Sequence, residues 1–198
     1  MKPQFLILDT ETTGLDNSAE VVELALIDSN GTELINTLVC PYMPIPSAAT
    51  AIHGITDEDV KNWPRFYAVL SRLHEIVTKS GLPLYIYNSA YDLRVMAQSI
   101  DNNFSGHSDS ALHQFRMMIA DISAVSLCAM LDYAEFHGSW DDYRGGWKWQ
   151  KLTSAVSQCG IDPIMFEAHR AFGDCLMTLE VIKNMINAGH GGYNYEQM

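Results

Sequence analysis

The chain has 198 residues, 47% of them hydrophobic and 18% charged, with 12 basic against 24 acidic side chains and a formal net charge of −12. That length suits one domain with a core of ordinary size, and no apolar run approaches the about 20 residues that cross a bilayer. The acidic balance excludes a protein that coats nucleic acid by neutralising phosphates, so any nucleic-acid contact has to be local, metal-assisted and short. Cys40, Cys128, Cys159 and Cys175 are scattered, with no Cys-x-x-Cys pair for zinc or redox chemistry. Reduced thiols in a cytosol account for them. Met1-Lys2-Pro3 leads straight into the first apolar run and leaves no room for a signal peptide, so a cytoplasmic protein is expected.

Phe5-Leu6-Ile7-Leu8 runs without interruption into Asp9, Glu11 and the break Thr12-Thr13-Gly14. Such a run reads as a strand buried on both faces. A second strand is expected over Val21–Asp28 and a third over Thr32–Val39, joined at Asn30-Gly31, a strong hairpin signal. Pro41, Pro44 and Pro46 mark an extended connection. Thr56-Asp57-Glu58-Asp59 fits a capping box that opens a short helix. Phe66, Val69, Leu70, Leu73, Ile76 and Val77 recur at helical spacing up to Gly81. Leu84–Tyr87 reads as a short buried strand and Ser89–Ile100 as a helix.

Asp101–Gln114 is polar and aperiodic and reads as a surface loop. Met117–Ile122 reads as a fifth strand, and Ser123 as the cap of a helix carrying Leu127, Cys128, Met130 and Leu131. Phe136–Trp149, rich in glycine and aromatics, reads as a loop; Lys151–Cys159 reads as a helix stopped by Gly160. A last helix opens at His169 and ends at Gly189. The result is one α/β domain over residues 1–198, with its core at about 4–188, an antiparallel meander first, and a frayed tail at 189–198.

Side chains alternate along a strand, so Asp9 and Glu11 project from one face. Two ionised acids at the end of a buried strand are costly and repel each other. A divalent cation removes that conflict, and hard oxygen ligands suit Mg²⁺ or Mn²⁺. On its own, Asp-x-Glu is equally well a pair of solvated acids opening a turn. Asp92 stands near a helix start, where Ser89-x-x-Asp92 also fits a capping box. His169 and Asp174 are five residues apart, about 140° around a regular helix. They converge only if His169 lies in the loop before the helix and Asp174 in its early turns.

Asp9, Glu11, Asp92, His169 and Asp174 stand at the ends of separate elements, in the order and context of the DnaQ-like DEDDh 3′–5′ exonucleases. The chain resembles that family from Phe5 to about Ile186. Asp9-Thr10-Glu11-Thr12-Thr13-Gly14 is similar to its first motif, Asn88-Ser89-Ala90-Tyr91-Asp92 to its second, and His169-Arg170-Ala171-Phe172-Gly173-Asp174 to its third. Ile52-His53-Gly54-Ile55-Thr56 resembles a segment that lines the substrate, and the short chain is most similar to the exodeoxyribonuclease X branch.

The resemblance implies a ribonuclease H-like mixed five-stranded sheet flanked by helices, and two-metal phosphodiester hydrolysis with Mg²⁺, or Mn²⁺ in its place. Asp9, Glu11 and Asp174 would hold one metal, Asp9 would bridge to the second, and Asp92 would act directly or through water. His169 would take a proton from the attacking water. Thr10, Thr12, Thr13, Gly14 and Leu15 would bind the terminal nucleotide, with Leu15 wedged against the base, beside His53, Gly54, Ile55, Asn88 and Tyr91. Relatives carry His-Asn and Phe where this chain has Tyr87-Asn88 and Tyr91, a departure that touches the substrate side and not the metals. Partners are nucleic-acid 3′ ends, DNA before RNA, and the family allows a homodimer. Two rivals stay open: an exoribonuclease trimming small RNAs, and a metal-binding module that recognises without cutting. Trp147-Lys148-Trp149, with Arg144 and Lys151, reads either as a strand guide or as a loop packed over the core.

Overall fold

The computed structural model describes residues 4–104 and 109–190. Its centre is a five-stranded mixed sheet in the order β3-β2-β1-β4-β5. β1 (Leu6–Thr12), β2 (Val21–Asp28) and β3 (Glu33–Leu38) form the antiparallel meander. β4 (Leu84–Ile86) and β5 (Ser126–Cys128) extend the other side in parallel. The Asn30-Gly31 turn behaves as that dipeptide requires: Gly31 takes φ 84°, and Asp28 Oδ1 accepts from the backbone N–H of Asn30 and of Thr32, 2.8 Å each.

Strand alternation divides the core in two. Leu6, Leu8, Leu24 and Leu26 face one way, against α3 (Phe66–Ser80), α4 (Ser89–Phe104) and α5 (Asp109–Ala124). Phe5, Ile7, Ala25 and Ile27 face the other, against α6 (Ala129–His137), α7 (Leu152–Gln158) and α8 (Ala171–Asn187). Because helices cover both faces, the first half of β1, Leu6–Leu8, is apolar without a break. A smaller cluster of Val22, Ile45, Ala49, Ile55 and Val60 lies under α1 (Ser47–His53) and α2 (Asp57–Val60). Thr56 and Asp59 form the expected capping box on α2, and Gly81 closes α3 in the left-handed region.

The middle of the chain departs from the sequence-based expectation. Met117–Ile122 is part of α5 and not a strand. Leu112, Phe115, Ile119 and Ile122 recur at three- and four-residue steps and all pack on the first core, while Met117 points outward; that is a helix face, hidden within a short apolar run. The fifth strand is Ser126–Cys128, so Ser123 caps no helix and Leu127 and Cys128 lie on β5. Of the expected loop Asp101–Gln114, residues up to Phe104 continue α4, Asp109 starts α5, and 105–108 lie outside the described residues. The glycine- and aromatic-rich stretch holds the end of α6 and a small hairpin, β6 (Trp140–Asp141) with β7 (Gly146–Trp147). α1 is also unexpected, since the prolines before it read as extended chain. The tail from 191 onward lies outside the described residues. Among the described residues, no helix is long and apolar enough to cross a membrane.

Candidate active site

Ile7, Asp9 and Glu11 share the β1 face that α8 covers, so both acids emerge where the apolar packing ends. Asp174 lies in the first turn of α8. Carboxylate oxygens of Asp9, Glu11 and Asp174 all come within 4.8 Å of one another. Asp92 arrives from the opposite layer, in the first turn of α4, and is buried. Its Oδ1 accepts from Thr10 Oγ1 at 2.7 Å. The acids therefore meet at the end of β1, where the two helical layers close over the sheet. The β1–β2 register shifts between Glu11 and Thr12, a bulge that re-aims the chain there.

The cluster is electrostatically unresolved by the protein alone. Burial, followed by the charges of Asp92, Asp174 and Glu11, holds Asp9 well above the ordinary aspartate range. Burial and then Asp174 and Glu23 push Glu11 up to about 8. Burial raises Asp92 to about 7 against the opposing hydrogen bond from Thr10. Burial raises Asp174 to about 6, moderated by its hydrogen bond from His169. Three close carboxylates with no cation of their own, all hard oxygen donors, fit a divalent ion such as Mg²⁺ or Mn²⁺.

His169 lies outside the helix, as convergence with Asp174 requires. Its backbone N–H donates to Asp174 Oδ1 at 3.2 Å, and its side chain is exposed. With φ 62° it is the one non-glycine residue in the left-handed region among the described residues, a strain kept only where the surroundings over-determine it. Two neighbours do so. Arg170 forks onto Glu23, with Nε 3.1 Å from each carboxylate oxygen, and Glu23 Oε2 also accepts from the Ala171 backbone N–H at 2.9 Å. Gly173 lets the loop lie on the helix: a Cβ there would sit 2.2 Å from the Glu167 carbonyl oxygen. Glu23 and Gly173 thus fix the turn that presents the imidazole.

Beside the acids runs a cleft of about 500 Å³ lined by Thr10 to Asp16, Pro46, Ala48, Ala49, Ile52, His53 and Tyr91. Leu15 is 82% exposed at its rim. The turn under Leu15 is held from α4. The Tyr91 hydroxyl donates to the Gly14 carbonyl at 2.7 Å and lies 2.5 Å from Thr12 Oγ1. Arg94 donates to the Leu15 and Asp16 carbonyls at 3.3 and 3.1 Å. His53 Nδ1 accepts from the Ile55 N–H at 3.0 Å, and burial holds its pKa below the ordinary value. A second opening of about 560 Å³ passes between His53-Gly54-Ile55 and Glu167-Ala168-His169-Arg170.

The family model described as an exonuclease, RNase T, matches residues 6–182. The chain belongs to this family, the DnaQ-like 3′–5′ exonucleases of DEDDh type. An uncharacterized exonuclease of Escherichia phage 186 is 39% identical over 184 residues, covering 93% of this chain and 89% of the relative. A DNA polymerase III subunit epsilon-like protein of Rhodobacter capsulatus is 37% identical over 198 residues, but the match covers 94% of this chain and only 24% of that protein. Among solved structures, an exonuclease I matches with TM-score 0.68 and 19% identity over 94% of this chain and 41% of its own. A 3′-exonuclease that recognises the histone mRNA stem-loop matches with TM-score 0.68 and 14% identity over 94% of this chain and 64% of its own. These structures share the mixed sheet flanked by helices.

In this exonuclease, Asp9, Glu11 and Asp174 form one cluster, with Asp92 and the His169 loop against it. Thr12, Gly14, Leu15, His53 and Tyr91 line the adjoining cleft. Thr10 and Thr13 also line it, yet their hydroxyls act inside the protein, Thr10 on Asp92 and Thr13 on the Glu20 N–H at 2.9 Å. Ile55 is buried in the small core, and Asn88 ends β4's loop with its carbonyl accepting from Tyr91 N–H at 2.9 Å. Sequence reasoning missed Glu23 and Arg170. One signal was available: Glu23 is the sole charge inside the apolar run Val21–Ile27, and a buried acid requires a partner.

Proposed function

We propose that the chain hydrolyses phosphodiester bonds one at a time from the 3′ end of single-stranded or frayed DNA, releasing mononucleotides. The observation that carries this reading is the cluster of Asp9, Glu11 and Asp174 oxygens within 4.8 Å of one another, opening onto the cleft capped by Leu15. Asp9, Glu11, Asp174 and Asp92 would hold two Mg²⁺ ions, which supply positive charge to activate water and to stabilise the departing 3′-oxygen. His169, exposed beside Asp174, accepts the proton of the attacking water on its imidazole. The Thr12–Leu15 turn receives the last nucleotide, and Leu15 lies against its base, a contact that tolerates any sequence. Tyr91 and Arg94 keep that turn fixed from below. The kinship with a polymerase III epsilon-like protein favours DNA over RNA.

The test is one gel series with 5′-labelled single-stranded DNA, duplex DNA and single-stranded RNA, each with Mg²⁺, Mn²⁺ or EDTA. A ladder shortening from the 3′ end of single-stranded DNA, dependent on metal, is expected. Equal cleavage with a blocked 3′ end, or full activity in excess EDTA, would overturn the reading. Faster shortening of RNA would replace the substrate and keep the reaction.

A further inference from the structure

The acidic chain spends most of its cations on itself. Lys61, Lys79, Arg116, Arg170 and Lys183 each pair with an acid. Arg65 and Arg94 donate to backbone carbonyls. Of the other cations among the described residues, Arg72 lies on α3, whereas Arg144, Lys148 and Lys151, likewise without an ion pair, are all exposed within eight residues of one another. They flank the β6–β7 hairpin, whose aromatic side chains are also exposed: Trp140 50%, Tyr143 97%, Trp147 40% and Trp149 62%.

The hairpin is a built element and not a loose loop. Trp140 and Trp147 pack edge to face across its strands, with ring centroids 4.9 Å apart. Asp141 Oδ1 accepts from the Tyr143 and Arg144 N–H groups at 3.1 and 3.2 Å, which fixes the turn. The Arg144 guanidinium lies over the Trp149 ring, 5.7 Å from its centroid. The exit of the hairpin is tied to the catalytic end of the sheet: the Tyr87 hydroxyl, next after β4, donates to the Gln150 carbonyl at 2.8 Å. Asp92 follows five residues later.

We infer that the outer surface of this hairpin, Tyr143, Arg144, Lys148, Trp149 and Lys151, binds the single strand upstream of the nucleotide being removed. Exposed aromatic faces interleaved with unpaired cations match what a flexible polyanion of stacked bases offers. The assignment rests on the exonuclease reading above, and it explains how a chain of net charge −12 holds a long substrate.

The test compares Trp149→Ala, Trp149→Phe and the double variant Lys148→Ala with Lys151→Ala against wild type. Binding of a fluorescent single strand of about 12 nucleotides, a length within the range of such sites, is read by anisotropy in EDTA. Turnover of a dinucleotide is read with Mg²⁺. Trp149→Ala is expected to weaken strand binding by about 5- to 150-fold, the loss of one base–aromatic stack, and Trp149→Phe to recover most of it. The double lysine variant should lower the log–log salt slope by about 2. Dinucleotide turnover and melting temperature should stay at the wild-type value throughout. Wild-type strand binding by all variants would overturn the inference. So would a parallel fall in dinucleotide turnover, which means a structural role, or a changed sedimentation coefficient, which means a contact between copies. If wild type cleaves neither the dinucleotide nor the same strand when Mg²⁺ replaces EDTA, the exonuclease reading fails, and the binding series still judges the hairpin.

Discussion

Two groups of acids gather around the β1–β2 pair, and they are handled in opposite ways. Glu20 and Glu23 are 1% and 2% exposed, yet each carboxylate is satisfied by the protein. Glu20 accepts from the Tyr42 and Met43 N–H groups at 2.7 and 3.2 Å; Glu23 has Arg170 and the Ala171 N–H. Asp9, Glu11 and Asp174 are less buried but face one another without a cation. Glu11 and Glu23 even stand directly opposite in the β1–β2 register. Location does not separate the two groups; partners do. Internally paired acids hold the scaffold, and unpaired ones are held ready for a ligand.

The largest test breaks the unpaired group. Asp9→Asn or Asp174→Asn should remove turnover to below detection and abolish tight metal binding by calorimetry. The same substitutions should raise the melting temperature of metal-free protein at pH 8 by about 3 °C or more, the shift that about 1 kcal/mol gives at this size. A scaffold acid would show the opposite sign.

His169→Ala should slow single-turnover cleavage by about 10²- to 10⁴-fold, the share of a positioned general base, with metal affinity nearly intact in the same calorimetric titration. A collapse of both would make His169 a ligand.

The paired group answers in stability first. Arg170→Ala leaves Glu23 buried and uncompensated, which should cost about 3–5 kcal/mol, read by chemical denaturation. Its effect on kcat should be smaller than that of His169→Ala, because the imidazole remains and only the turn that aims it is loosened. Loss of activity with unchanged stability would mean that Arg170 touches the substrate.

Much of this arrangement was legible in the chain. The buried run into Asp9 and Glu11, the Asn30-Gly31 hairpin and the glycine-stopped helices are local signals, and the structure keeps each of them. The family motifs singled out the acids and the histidine, and the fold brings them to the same end of β1. The stretch from 101 to 128 was not legible, because Met117–Ile122 is short enough for its helical step to look like a continuous strand. Residues 126–128 form a strand only by pairing with β4, a contact no local pattern announces. The Glu23–Arg170 pair, 147 residues apart, is of the same kind.

The most direct measurement of the central claim is the melting temperature of wild type from pH 5 to 9, with and without Mg²⁺. Asp174, Asp92 and Glu11 sit at about 6, 7 and 8 in the folded protein, above their ordinary values of 3.8, 3.8 and 4.5. The folded state therefore holds protons that the unfolded chain has released, and stability is lost as pH rises through those values. Metal-free protein should melt at progressively lower temperature from about pH 5 to above pH 8, and saturating Mg²⁺ should remove that fall. A metal-free melting temperature that stays level or rises across this window, unmoved by Mg²⁺ or Mn²⁺, would contradict the account.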